Sequence, residues 1–141
     1  MKIKEIIKKH EGFRDQIYLC SEGYPTIGYG HKVLDTDPFK EGEVYPKEML
    51  DKVFDEDFEK ARKGAERLLD HLDPPQPAVD VIISMVFQLG EGGVSKFKNM
   101  FAALEEEDYV EAASQMLDSK WHVQTPARCQ ELANMMRNCD L

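Results

Sequence analysis

Apolar residues in the first part of the chain change from helical spacing to alternation. One helix face is formed by residues three and four positions apart, namely Ile3, Ile6, Ile7 and His10. Gly12 follows at the position of a C-cap glycine, so the pattern predicts a short helix over residues 3–11. From Phe13 to Val33 apolar and polar residues alternate around a turn at Ser21-Glu22-Gly23. This segment predicts a hairpin or a small three-stranded sheet.

A long helix is predicted after a loop rich in Asp, Pro and Gly at residues 35–43. Pro46 stands where a helix can begin, and apolar residues at helical spacing continue from Met49 to Leu72. Prolines at positions 74, 75 and 77 then predict its end.

The second half of the chain has a helical pattern throughout. The run Ala78–Leu89 is apolar nearly all round, which predicts a buried central helix closed by the glycines at 90, 92 and 93. Three shorter amphipathic segments follow, near Ser95–Leu104, Tyr109–Ser119 and Pro126–Arg137.

These elements predict an α+β fold in a single domain, residues 1–141. A small sheet lobe covers about residues 12–45, and a connecting helix covers about 46–73. A mostly helical lobe covers about 76–141 and includes the N-terminal helix 3–11. A cleft between two lobes is a natural site for an elongated ligand.

Composition narrows the possible functions. The chain has 141 residues and a formal net charge of −9. Nucleic-acid binding is not expected, because it needs a Lys/Arg face against the phosphates. The acidic groups at Asp55-Glu56-Asp57 and at residues 105–108 are interpreted as solvated helix faces.

No membrane span or secretory signal is expected. The apolar run Ala78–Leu89 is interrupted by Asp80, Ser84 and Gln88 and is shorter than the roughly 20 residues that a span needs. The N-terminus is charged and lacks an apolar core segment. We therefore expect no stable membrane association and accumulation in the cytoplasm.

The cysteines and histidines predict neither a metal site nor a cofactor. Cys20, Cys129 and Cys139 are an odd, sparse set, for which reduced thiols are the default in a cytosol. The four histidines are scattered and show no metal-ligand spacing.

Glu11, Cys20 and Thr26 are the residues that suggest chemistry. Glu11 ends the first helix, while Cys20 and Thr26 fall on opposite arms of the predicted hairpin and could face one point. An acid with a second polar group across a gap suits glycosidic cleavage. A lone glutamate at a helix end is also commonly solvated or salt-bridged, so the residues alone leave catalysis open.

Three blocks of sequence carry a resemblance to a known family. They are EGFRDQIYLCSEGYPTIGYGH (residues 11–31), MVFQLGEGGVSKF (85–97), and Glu111-Ala112-Ala113 followed by SKWHVQTPAR (119–128). The chain resembles glycoside hydrolase family 24, the phage lysozymes, and within it the T-even phage type. That family's pattern is Glu, eight residues, Asp or Cys, five residues, Thr, which this chain meets. The resemblance implies a lysozyme-like fold and a muramidase acting on the peptidoglycan glycan strand.

The resemblance also assigns roles by position. It implies that Glu11 is the general acid, that Cys20 takes the place of a second carboxylate, and that Thr26 helps to hold the attacking water. Cleft or substrate-binding positions are Glu22, Gly30, His31, Phe87, Gln88, Gln115 and Trp121. Trp121 would be partly exposed to the cleft. Two supporting residues are Arg128, which would pair with the catalytic glutamate, and Asp57, which would pair with His31 for structural reasons.

Two features depart from the usual family pattern. A free thiol has a pKa of about 8.5 and is a weaker electrostatic stabiliser than a carboxylate, and we expect Glu11 to raise the pKa of Cys20 further. A buried apolar role for Cys20 is the competing interpretation. The acidic net charge also implies weaker attraction to an anionic wall and a smaller salt dependence.

Three functions remain open from the sequence. The first is an endolysin-type muramidase that hydrolyses the β-1,4 bond between N-acetylmuramic acid and N-acetylglucosamine and so lyses the host. The second is a lytic transglycosylase that uses Glu11 alone, and the third is an inactive peptidoglycan-binding module. The resemblance further implies a monomer released from the host or bacterial cytoplasm by a holin.

Overall fold

The computed structural model describes residues 2–140, which are mostly helical with one small antiparallel sheet, and the predicted α+β class is confirmed. The elements are α1 (Lys2–Glu11), β1 (Arg14–Leu19), β2 (Pro25–Gly28), β3 (His31–Lys32), α2 (Lys47–Leu68), α3 (Gln76–Ser95), α4 (Lys98–Glu105), α5 (Tyr109–Leu117), α6 (Lys120–Gln124), α7 (Pro126–Arg137) and a 3-10 turn at Asn138–Asp140.

The chain divides into two compact units with the boundary between Glu59 and Lys60. The first unit contains α1, the sheet and the N-terminal part of α2, and the second contains the remaining helices. In this division α1 belongs with the sheet, whereas the sequence interpretation grouped it with the helical lobe.

The sheet of the first unit has the strand order β1-β2-β3, and both pairings are antiparallel. Tyr18 lies opposite Thr26, and the turn between their strands closes through the Gly23 N–H bonded to the Cys20 carbonyl at 2.8 Å. The predicted hairpin and its turn are thereby confirmed. The buried side chains of Ile27, Phe39 and Leu50 form the apolar core beneath the sheet.

Helix α1 is held against the first part of α2 by its lysines. Lys4 Nζ lies 3.5 Å from Asp55 Oδ1, and Lys8 Nζ lies 3.9 Å from Asp51 Oδ1. The Lys8 ammonium also lies 5.0 Å from the ring centres of Tyr29 and Phe54, a cation–π geometry. These contacts fix the direction of α1 and therefore the place where its last residue lies.

The second unit is built around α3, which includes the predicted buried helix. Its fully buried residues include Val81, Ile82 and Met85. Gly90 interrupts the helix with φ 80° and ψ 157°, a left-handed conformation that glycine adopts without steric cost. The prediction that glycines close the central helix is therefore confirmed at Gly90.

Two helix predictions were wrong in detail. The long helix ends at Leu68 and not near Leu72, because Leu72 N–H bonds to the Leu69 carbonyl at 2.8 Å and forms a turn there. The short helix α6 was not predicted at all. It is capped by Ser119, whose hydroxyl accepts from His122 N–H, and five residues are too few to show a helical period.

The length argument against a membrane span does not hold for α3. In the described part of the chain, α3 has the length and the mean hydropathy of 1.3 that a spanning helix needs, since it extends beyond the apolar run to 20 residues. The core helix of a globular unit meets the same criteria. In α3, 44% of the apolar 18-residue stretch that meets them is buried. That the chain does not associate stably with membranes stays a prediction.

Candidate active site

Glu11 is placed by the end of α1 and by a glycine in the sheet. A Cβ built on Gly30 would overlap Oε1 of Glu11 and would lie 2.9 Å from its Cδ. Gly30 also has φ +76°, which L side chains rarely adopt. The absence of a side chain at Gly30 therefore makes room for the Glu11 carboxylate, which is half-buried against the sheet backbone.

Tyr18 lies close to the same carboxylate, although the sequence did not single it out. Burial raises the pKa of the Tyr18 phenol, and the negative charge of Glu11 raises it further. The Arg14 guanidinium lies 4.9 Å above the Tyr18 ring and opposes that effect. Sequence alternation placed Tyr18 on a strand but carried no sign of its proximity to Glu11.

Cys20 and Thr26 meet across the hairpin. The Cys20 N–H donates to the Tyr24 carbonyl at 3.0 Å, which closes the end of the hairpin. Thr26 is buried, and its hydroxyl donates to the same Tyr24 carbonyl at 2.9 Å. A side-chain hydrogen bond with Thr26 also reaches the Cys20 sulfur. The structure therefore brings these two predicted site residues together.

The expectation that Glu11 would raise the pKa of Cys20 was wrong. Backbone hydrogen bonds from Tyr24 and Glu22 lower the pKa of the Cys20 thiol, and the hydrogen bond with Thr26 adds to them. The charge that raises the pKa of Cys20 is that of Glu22. The tight turn is the physical reason, since it directs backbone donors at the sulfur.

His31 joins two carboxylates. Its Nδ1 lies 2.7 Å from Asp57 Oδ2, and its Nε2 lies 2.8 Å from Asp37 Oδ2. Asp57 was expected from the resemblance, but Asp37 was missed. The hydrogen bond with Asp57 raises the pKa of His31, burial opposes the rise, and Asp37 adds to it. With both ring nitrogens in contact with carboxylates, His31 links the sheet to α2 and to the loop after β3.

In the second unit, Gln88 and Trp121 bind each other. The Trp121 indole N–H donates to Gln88 Oε1 at 2.8 Å, and Gln88 Nε2 donates to the Thr125 hydroxyl at 3.3 Å. The Trp121 ring packs edge-on against Phe97 with ring centres 6.1 Å apart. Because only 3% of Trp121 is exposed, the expected partial exposure of its ring was wrong.

Gln115 and Trp121 both line a groove of about 570 Å³ in the second unit. Gln115 is half-buried and donates to Glu111 Oε2 at 2.6 Å. This groove brings together two of the predicted substrate-binding residues, one from α5 and one from α6.

The remaining predicted residues are placed as follows. Glu22 is exposed in the hairpin turn, and Phe87 is half-buried in α3. Arg128 lies in the first turn of α7 with its Nε and Nη2 atoms shielded from solvent. Across residues 2–140, no cluster of three or more His, Cys, Asp and Glu side chains is arranged to hold a metal ion.

Comparisons with known proteins agree with this arrangement. The family model described as phage lysozyme matches residues 8–137. A Dictyostelium discoideum protein named probable T4-type lysozyme 1 is 29% identical, and the match covers 95% of this chain and 92% of that relative. A peptidoglycan hydrolase of Pseudomonas phage phiKMV is 29% identical over 92% of this chain and 14% of its own length. An endolysin of Bacillus phage B103 is 30% identical over 83% of this chain and 43% of its own length.

Proposed function

Since the chain belongs to the phage lysozyme family and is a lysozyme-type peptidoglycan hydrolase, we propose that it hydrolyses the β-1,4 bond between N-acetylmuramic acid and N-acetylglucosamine. Glu11 acts as the general acid that protonates the glycosidic oxygen. Cys20 and Thr26 hold the water that attacks the anomeric carbon from the opposite face. The configuration of that carbon is inverted, and the proton that the water loses passes to the Cys20 thiolate.

The observation that carries this proposal is the fit of Glu11 against Gly30. A carboxyl group at a helix end is ordinarily free to rotate into solvent. This one lies over Gly30, where any side chain would displace it. Fixed placement of an acid is what general acid catalysis requires, because proton transfer needs a heavy-atom separation of about 2.6–3.2 Å. Glu11 is therefore built into the first unit as a positioned group.

Cys20 and Thr26 are suited to orient a water. The single proton of the Thr26 hydroxyl can be donated to the Tyr24 carbonyl or to the Cys20 sulfur, and in either case the oxygen lone pairs can accept from a water. The Cys20 sulfur is a second acceptor, and its lowered pKa increases the fraction of thiolate at a given pH. Two acceptors would fix both water hydrogens and leave an oxygen lone pair directed at the sugar.

The biological role that we propose follows from this activity. The enzyme accumulates in the host or bacterial cytoplasm as a monomer, reaches the wall after a holin has opened the membrane, and lyses the cell. The endolysin name of the Bacillus phage B103 relative supports this role.

The first test is loss of turbidity of purified peptidoglycan by wild-type protein and three variants. Glu11→Gln keeps the shape of the side chain but removes the proton donor, so we expect a loss of at least about 100-fold. We expect Cys20→Asp to be active and Cys20→Ser to be impaired, because a hydroxyl is a poorer acceptor than a thiolate or carboxylate. Full clearing by Glu11→Gln would refute the assignment of Glu11.

The products distinguish hydrolysis from transglycosylation. Hydrolysis leaves a reducing muramic acid, whereas a transglycosylase leaves a 1,6-anhydro end that is lighter by one water in mass spectrometry. Anhydro products alone would overturn the proposed bond hydrolysis. Co-sedimentation with peptidoglycan without any turnover would instead identify an inactive binding module.

A further inference from the structure

The groove of the second unit is rich in lysine although the chain carries a net charge of −9. Lys96, Lys98 and Lys120 line it, and we call them the groove lysines. We propose that this groove is an anion-binding subsite that takes a carboxylate or phosphate group of the bacterial cell wall. The proposal rests on the proposed function for its ligand and assigns the groove lysines a role that is separate from the chemistry at Glu11.

The groove lysines are exposed, and none has a described carboxylate within the 4.0 Å of an ion pair. By contrast, Lys8 and Lys47 of the first unit are each paired with Asp51. The groove contains three lysines against a single acid, Asp118. Its ammonium groups are therefore available to an external anion.

The rest of the lining fits a bound ligand and not merely a charged surface. Asn99 and Gln124 contribute side-chain amides, which can donate to an oxyanion. Phe97 contributes apolar surface, and the Trp121 N–H is already bonded to Gln88. The volume of about 570 Å³ is in the range of about 300–1,000 Å³ that ligand pockets commonly have.

An acidic depression adjoins the groove and limits how the ligand can lie. Glu106, Asp108 and Glu111 line this depression, which shares Asn99 and Gln115 with the groove. An anion that binds at the groove lysines would be repelled from the neighbouring acids. The positive groove and the negative depression together therefore orient a ligand so that its negative group lies at the groove lysines.

This arrangement resolves a difficulty that the composition raises. An acidic enzyme is repelled on average by an anionic wall, but screening limits that repulsion to about 10 Å at 0.1 M salt. Within that distance the charges close to the contact determine whether an anion is attracted, and the groove offers a local excess of positive charge. The groove therefore offers a local site of wall attraction on a chain of negative net charge.

The test compares two variants with the same net charge. The groove variant is Lys96→Gln/Lys98→Gln/Lys120→Gln. The control variant is Lys2→Gln/Lys52→Gln/Lys60→Gln, which removes three lysines that are exposed and lie outside the groove. Both are measured by co-sedimentation with purified peptidoglycan at about 0.1 M salt and low temperature, after thermal unfolding has shown that each is folded.

We expect the groove variant to bind about tenfold more weakly than wild type, roughly twofold for each lysine, because exposed ion pairs are individually weak. The control variant should remain within about twofold of wild type, and replacement of the groove lysines by arginine should preserve binding. Equal weakening by both glutamine variants, or wild-type binding by the groove variant, would overturn the proposal.

The source of the anion is found by changing the wall. We would use peptidoglycan freed of teichoic acid, the same material with its carboxylates amidated, and wall that retains phosphate polymers. If amidation removes the difference between groove and control variants, the ligand is a carboxylate. If the difference is seen only with phosphate-bearing wall, the ligand is a phosphate.

The readouts keep this inference separate from the proposed function. Turnover by wild type and by Glu11→Gln tests the catalytic proposal, whereas co-sedimentation does not require turnover. Lysine-dependent binding without hydrolysis would support the subsite and reject the catalytic proposal. Hydrolysis with binding that does not depend on the groove lysines would support the catalytic proposal and reject the subsite.

Discussion

Replacement of His31 by asparagine removes the residue that joins two carboxylates of the first unit. Its imidazole is 11% exposed and contacts Asp57 and Asp37 at 2.7 and 2.8 Å, and each carboxylate is about a fifth exposed. Both contacts are short enough for charge-assisted hydrogen bonds. The protonated imidazole can donate to both carboxylates at once, which the neutral ring cannot do.

The cost of the substitution can be worked from these contacts. A hydrogen bond to a charged group contributes about 1.5–3 kcal/mol, so two of them set an upper limit of roughly 3–6 kcal/mol. Partial exposure of the carboxylates and desolvation of the imidazole reduce this, and we expect His31→Asn to cost about 2–4 kcal/mol at pH 5.

The sign of the pH dependence follows from the raised pKa of His31. A group whose pKa is higher in the folded protein stabilises it fully below the unfolded value, near 6.5, and loses this effect as the pH rises through the folded value. His31→Asn should therefore be most destabilising at pH 5 and clearly less so at pH 9. Each unit by which the pKa is raised corresponds to about 1.4 kcal/mol of this difference.

Urea unfolding of wild type and variant at pH 5, 7 and 9 measures the effect. His71→Asn is the matched control, because His71 contacts Glu105 at 3.0 Å but is 64% exposed, and we expect a cost below about 1 kcal/mol. Titration of the imidazole by NMR should show a larger fall in the pKa of His31 for Asp57→Asn than for Asp37→Asn, since the Asp57 contact has the largest effect. An equal cost of His31→Asn at pH 5 and 9, or one no greater than that of His71→Asn, would refute the reasoning.

Two further predictions concern the site. Gly30→Ala should reduce wall hydrolysis by about 100-fold, because displacement of Glu11 by about 1 Å is enough for that loss. Gly42→Ala, with a similar positive φ but open space at its Cβ, should keep its activity while losing about 1–2 kcal/mol of stability, and loss of activity in both would contradict the first expectation. Alkylation followed by mass spectrometry should modify Cys20 at least tenfold faster than Cys129, which is buried with a pKa raised to about 11, and equal rates would contradict the local environments described.

The local part of the fold could be predicted from the sequence. The hairpin turn, the first helix and the glycine that interrupts α3 each depend on residues within a few positions of one another. The end of α2 and the helix α6 could not be found in this way. The apolar period continues to Leu72, whereas the N–H of Leu72 already bonds to Leu69 in a turn. Helix α6 depends on a cap at Ser119.

The same difference between local and long-range contacts applies to the site residues. Contacts between residues distant in sequence had no signature in one chain, and Asp37 beside His31 is the clearest case. The contacts of the buried Trp121 are another, because its indole N–H bonds to Gln88, 33 positions away. Lys96 and Lys98 are neighbours in the sequence, but only the folded chain brings Lys120 to them.

The replacement of a carboxylate by Cys20 changes what the second group contributes in the proposed mechanism. A neutral thiol stabilises an oxocarbenium ion poorly, whereas a thiol whose pKa is lowered by backbone donors, and which meets Thr26, is well placed to accept from a water. Orientation of the nucleophile is then the main contribution of the hairpin, and proton donation by Glu11 is the main contribution of α1. On this reasoning the pH profile of hydrolysis should show a gain as the Cys20 thiolate forms. Cys20→Asp should remove the thiol's part of that profile while leaving dependence on Glu11 unchanged.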